Sequence, residues 1–164
     1  YQFGIVDRFE DFCSLQQAKE EEVGLSRMTA GFAWKWETKK HKDAFDIVIE
    51  GIPKRWNSSQ KDWVNSPNAV NEVGCIHTVQ GYDLNYGFVI LGPDIYYDTD
   101  KGAVCINKAN FKDAVAKKKA SEDELRKIIV NAYYVLMTRG MLGTYLYVCD
   151  PALKEYLSPY IPVI

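Results

Sequence analysis

Ser121-Glu122-Asp123-Glu124 opens a stretch that continues through Leu125, Ile128, Ile129, Ala132 and Leu136, reaches Thr138-Arg139-Gly140, and ends in Thr144-Tyr145-Leu146-Tyr147-Val148-Cys149. The first four residues are a capping box, in which the serine hydroxyl accepts from a free backbone N–H while Glu124 reaches back to the cap. The apolar residues that follow recur at helical spacing and make one stripe, suited to lie on a sheet. This predicts a helix that stops near Thr138, with Gly143 completing a turn before a strand over 144–149. Upstream, Val73-Gly74-Cys75-Ile76-His77-Thr78 is a compact apolar run of the kind found in strands buried on both faces, and Phe88-Val89-Ile90-Leu91-Gly92-Pro93 is a second. Helices interleaved with short apolar strands predict an α/β domain with a largely parallel sheet flanked by helices.

The rest of the chain fits around that centre. An amphipathic helix is expected over 8–22, with Phe9, Phe12, Cys13, Leu15 and Ala18 along one face and Gly24 at its C-cap position. A strand over 25–33 runs out at Gly31, and Trp34-Lys35-Trp36 leads into a charged loop, 37–43. Residues 46–51 read as a strand with 52–57 returning beside it, and a polar loop covers 58–71. Turn signals such as Asp100-Lys101-Gly102 predict a surface hairpin inserted over 94–110, and Pro151 begins a short closing helix to Leu157.

The chain has 164 residues, 47% of them apolar and 26% charged, which suits one domain with a sizeable core and excludes disorder. No stretch approaches the roughly 18 consecutive apolar residues of a membrane span. The opening residues lack an initiator Met and show no secretory signal; with their strand-like character they are expected to be cut from a longer protein. Twenty Lys and Arg stand against 22 Asp and Glu, a net charge of −2, so any contact with a nucleic-acid backbone has to be local. Cys13, Cys75, Cys105 and Cys149 are scattered with no C-x-x-C pair, and they read as reduced thiols in a cytoplasmic protein rather than as zinc ligands.

Two polar turns are candidates for chemistry, because open parallel sheets bind ligands beyond the carboxyl ends of their strands. One is 77–83, directly after an expected core strand. The other is 138–140, where an arginine at a helix end could offer its planar fork to a phosphate.

At these two turns the sequence resembles a known family. Gly74-Cys75-Ile76-His77-Thr78-Val79-Gln80-Gly81-Tyr82-Asp83-Leu84-Asn85-Tyr86 is similar to motif V of superfamily 1 helicases, and Asn131-Ala132-Tyr133-Tyr134-Val135-Leu136-Met137-Thr138-Arg139-Gly140 to their motif VI. With 88–94 and 26–36, these segments resemble the DUF2075 family, the Schlafen group 3-like DNA/RNA helicases of bacteria, over nearly the whole chain. The resemblance implies a RecA-like fold and makes residues 1–164 a single domain, the second half of a motor whose ATP and Mg²⁺ are held mainly by a preceding RecA-like domain. Neither G-x-x-x-x-G-K-[ST] nor a Walker B acid is present, so no cofactor and no unaided hydrolysis are expected here. By the same resemblance Arg139 reaches the γ-phosphate. Gln80 and Gly81 face the nucleotide cleft, Asp83 stands where an acid can bond ribose, and His77 and Thr78 contact a DNA or RNA strand. Asp83 is shorter than the common Glu, and Asn85 replaces a frequent second acid.

Trp34 and Trp36, near the end of their strand, are candidate platforms for bases, whereas Trp56 and Trp63 read as packing. The lysines at 39–42 and 117–119 read as solvated faces, with a nucleic-acid path as the alternative. Two other classes compete: a metal-dependent nuclease using Asp94, Asp98 and Asp100 with Asp46 or Glu50, and a RecA-like module that only binds partners.

Overall fold

A computed structural model describes residues 1–164. The strands are β1 (Gln2–Ile5), β2 (Ser26–Ala30), β3 (Ile47–Ile49), β4 (Ile52–Trp56), β5 (Glu72–Gly74), β6 (Leu84–Leu91), β7 (Ile95–Asp98), β8 (Ala103–Ile106) and β9 (Gly140–Val148). The helices are α1 (Phe9–Val23), α2 (Ile76–Val79), α3 (Ala114–Lys119), α4 (Glu122–Met137) and α5 (Pro151–Leu157).

Seven strands form one sheet in the order β1-β9-β6-β2-β5-β4-β3. Every neighbouring pair is parallel except β3 and β4, which form an antiparallel hairpin turned at Glu50-Gly51, both at positive φ. β7 and β8 pair separately as the hairpin inserted between β6 and α4. The mostly parallel sheet with helices on both faces is in keeping with a RecA-like fold.

The central strands are buried on both sides, and their alternation sorts two cores. Phe88, Ile90, Tyr145 and Tyr147 face α1, where they meet Phe9 and Phe12. Val89, Leu91, Leu146 and Val148 face α4, through Leu125, Ile129, Tyr133 and Leu136. The capping box of α4 is present, with Glu124 N–H donating to Ser121 Oγ (3.4 Å) and Ser121 N–H donating to Glu124 Oε2 (2.8 Å).

The expected strand over 73–78 is corrected. β5 ends at Gly74, where a Cβ would lie 2.3 Å from the Trp63 ring, and Ile76–Val79 is the helical turn α2. The N–H and hydroxyl of Thr78 both donate to the Cys75 carbonyl and close that turn. Ile76 and Val79 still pack into the core, so the apolar run marks burial in a helical turn as well as it would mark a strand. The end of α4 is a second correction: Gly140 to Gly143 belong to β9, which pairs with β6 across a bulge between Leu84 and Tyr86. A Cβ on Gly140 would lie 2.0 Å from the Gly143 carbonyl oxygen, so this bulge requires glycine there. α3 has no counterpart among the expected helices.

Candidate functional site

The two polar turns converge, although at the end of the sheet opposite to the expected one. α2 begins past the carboxyl end of β5 and carries the chain back alongside α4, so that 80–83 enters β6 at its amino end. Thr138 and Arg139 likewise lead into the amino end of β9, and Leu84 N–H donates to the Arg139 carbonyl (2.9 Å). The crossover back through α2 and α4 decides this placement.

Val79–Tyr82 is a type II β-turn: Tyr82 N–H donates to the Val79 carbonyl (3.1 Å), Gln80 sits at φ −64, ψ 124, and Gly81 at φ +85. Glycine is needed at that second corner, and the turn leaves the Gln80 side chain exposed and without a hydrogen bond in the protein. Asp83, also exposed, carries a carboxylate with no hydrogen-bond or ion-pair partner. Arg139 is half-buried; its Nε donates to the Val135 carbonyl (3.3 Å), and no carboxylate lies within ion-pairing distance of its guanidinium. Its side chain thus folds back onto the last turn of α4, whose Val135 lines one cavity with Gln80.

That cavity, about 330 Å³, lies between α2 and α4 and is also lined by Gly31, Phe32, His77, Asp94 and Tyr133. His77 is exposed, with its ring centroid 5.7 Å from that of Phe32. Thr78 is buried and its hydroxyl is taken up by Cys75, so the residue shapes the turn and is not presented to a strand. Asp94 is fully buried. Its Oδ1 accepts from Tyr133 Oη (2.5 Å), which in turn accepts from Gly92 N–H (3.0 Å), while Oδ2 has no partner. Desolvation pushes its carboxyl up to about 6, against the opposing hydrogen bond from Tyr133.

A larger cleft of about 640 Å³ opens beyond the carboxyl end of β2 and shares Phe32, Phe111 and Asp113 with the first cavity. Trp34 and Trp36 form one wall, both half-buried and both packed on the buried Trp56 at centroid distances of 6.4 and 5.8 Å. Trp56 and Trp63, read as packing, are core residues.

The acids of the nuclease alternative do not assemble. Asp46 accepts from the N–H and hydroxyl of Thr38 and from Trp56 N–H; Glu50 accepts from Phe9 N–H and the Tyr147 hydroxyl. Asp98 accepts from two backbone N–H groups in the hairpin turn and pairs with Lys101, while Asp94 is sealed against Tyr133. Burial and hydrogen bonding thus tie each of these acids to its own neighbourhood, and no three potential ligands stand close enough to hold a metal ion.

Residues 1–150 match the family described as the Schlafen group 3, DNA/RNA helicase domain. An uncharacterized protein of Saccharomyces cerevisiae is 33% identical over 148 residues, covering 85% of this chain and 32% of the yeast protein. The chain therefore spans about a third of the length of the curated relative it matches. That relative is a yeast protein, so similarity to this chain is not confined to bacteria. No solved structure matches the chain. No helix is long and apolar enough to cross a membrane.

Proposed function

Because the chain belongs to the Schlafen group 3 DNA/RNA helicase domain family, we propose that it is the second RecA-like half of an ATP-driven motor on single-stranded DNA or RNA. In this reading Arg139 is presented to a nucleoside triphosphate held, with Mg²⁺, by the preceding domain of the parent protein. The observation that carries the proposal is the guanidinium of Arg139, without a carboxylate partner, at a helix end whose backbone is hydrogen-bonded to Leu84, directly after the turn that carries the exposed side chains of Gln80 and Asp83. A cation without a carboxylate is available to an anion from outside the domain, and its fork suits phosphate oxygens. These residue types suit one side of a nucleotide: a cation for phosphate, an acceptor for a sugar hydroxyl and an amide. None of them can cradle the phosphates, which is why a neighbouring domain is required. The cytoplasmic setting belongs to the same reading.

Charge developing on a transferring phosphoryl group makes such an arginine worth about 10³–10⁵ in rate. In the parent protein, Arg139→Ala is expected to cut ATP turnover by at least 10³ while nucleotide affinity changes far less, with Arg139→Lys recovering little because it lacks the fork. Turnover near wild type in Arg139→Ala would refute the assignment and leave a module that only binds partners.

A further inference from the structure

The structure assigns a path for a single nucleic-acid strand to the cleft beyond the carboxyl end of β2, distinct from the edge that carries Arg139. The chain brings two separate basic segments to this one place. Lys35 and Lys39 come from the loop after β2; Lys112, Lys117 and Lys118 come from the segment that leads into and through α3. Lys112 N–H donates to the Phe32 carbonyl (2.7 Å), which ties the second segment to the end of the strand that carries the first. Five lysines thus line the cleft against one carboxylate, Asp113, whose oxygen is engaged by Val115 N–H and Ala116 N–H at the start of α3. None of the five forms an ion pair. In a chain with net charge −2, that concentration of unpaired cations is a local field for a polyanion.

The aromatic wall selects the kind of polyanion. Trp34 and Trp36 are braced by Trp56, which itself packs on Phe32, and Lys39 Nζ stands 4.1 Å from the centroid of the Trp36 ring. Replacing Gly92 by a residue with a Cβ would bring that atom to 2.6 Å from Ala33 Cβ and 3.0 Å from the Trp34 ring, so the close approach of β6 holds that tryptophan in place. Half-buried, fixed rings flanked by flexible cations are the arrangement on which unpaired bases stack while the lysines follow the phosphates. A duplex keeps its bases stacked on one another and offers no faces to such rings, so the occupant is a single strand, read with little sequence preference.

The probe is a fluorescently labelled oligo-dT added to this chain, with binding read by anisotropy and by quenching of tryptophan emission. Single-strand binding that follows this path is at least tenfold tighter than binding of a duplex of equal length. Lys117→Gln with Lys118→Gln is expected to weaken it about tenfold or more and to reduce the slope of log K against log salt by about 1.4, since each phosphate contact on a single strand contributes about 0.7. Trp36→Leu weakens binding and reduces the quenching to that of Trp34 while leaving the salt slope unchanged, and Trp36→Phe recovers part of the affinity but none of the lost tryptophan signal. Lys61→Gln, outside the cleft, leaves dT binding as it was. Equal loss in Lys61→Gln, equal affinity for duplex, displacement by polyglutamate as effective as by dT, or an unaltered salt slope in the double lysine variant would each overturn the path. Failure of Arg139→Ala to slow ATP turnover does not touch it, so the two readings fail separately.

Discussion

Tyr133→Phe removes a single oxygen from the middle of a buried chain of three groups, and its cost can be worked from the geometry. The hydroxyl donates to Asp94 Oδ1 (2.5 Å) and accepts from Gly92 N–H (3.0 Å), with Tyr133 and Asp94 essentially inaccessible to solvent. Losing a hydrogen bond to a charged partner costs about 1.5–3 kcal/mol, and a buried N–H left unsatisfied costs about 1–3 kcal/mol. The sum is about 4 kcal/mol, a large part of the stability of a domain this size. The loss also depends on pH. Burial pushes the Asp94 carboxyl from 3.8 to about 6, so between those values the folded protein holds this proton and the unfolded chain does not. Stability from this group is therefore present below about pH 4, falls as pH rises through 6, and amounts to about 3 kcal/mol over the window. Without the tyrosine, the opposing hydrogen bond is gone and the carboxyl moves further up. The destabilisation by Tyr133→Phe is then expected to be about 1–2 kcal/mol larger at pH 8 than at pH 5, in urea titrations of both proteins at both pH values. Asp94→Asn keeps an acceptor for the hydroxyl and cannot ionise, so its stability profile flattens between pH 4 and 6, and Tyr133→Phe costs the same at both pH values in that background. A Tyr133→Phe variant that loses less than about 1 kcal/mol, or loses equally at pH 5 and pH 8, would refute the reasoning.

Gly74→Ala places a methyl group 2.3 Å from a Trp63 ring that is fully buried and pinned by its own N–H donating to Glu72 Oε2 (2.8 Å), so neither side can yield cheaply. It should cost about 3 kcal/mol, and a change in the urea midpoint equivalent to less than about 0.5 kcal/mol would show that the contact relaxes. Burial pushes the Cys149 thiol from 9.0 up to about 12. Alkylation of native protein at pH 8, followed by peptide mass spectrometry, is expected to label it about 10³-fold more slowly than unfolded chain, since only the thiolate reacts.

Local signals carried the elements with strong chemistry of their own. The capping box and apolar stripe of α4, the Asp-Lys-Gly hairpin and the proline opening α5 were all readable, since each depends on contacts within a few residues. α2 was not, because Ile76 and Val79 are equally apolar on a strand or on a helical turn; the Thr78 N–H and hydroxyl closing on the Cys75 carbonyl make the turn. Asp94 looked like one of a group of hairpin acids, and nothing local announces that Tyr133, 39 residues on, buries it.

By itself the sequence determined the α/β class, the helix that places Arg139 at its end, and the Gln-Gly turn, because hydrophobic period and turn chemistry are short-range properties of the chain. Only the tertiary structure decided at which end of the sheet those turns meet, and that lysines more than seventy residues apart in sequence share one cleft with two tryptophans. Those outcomes depend on strand order and on the packing of α2, α3 and α4, where contacts between residues far apart along the chain set the geometry.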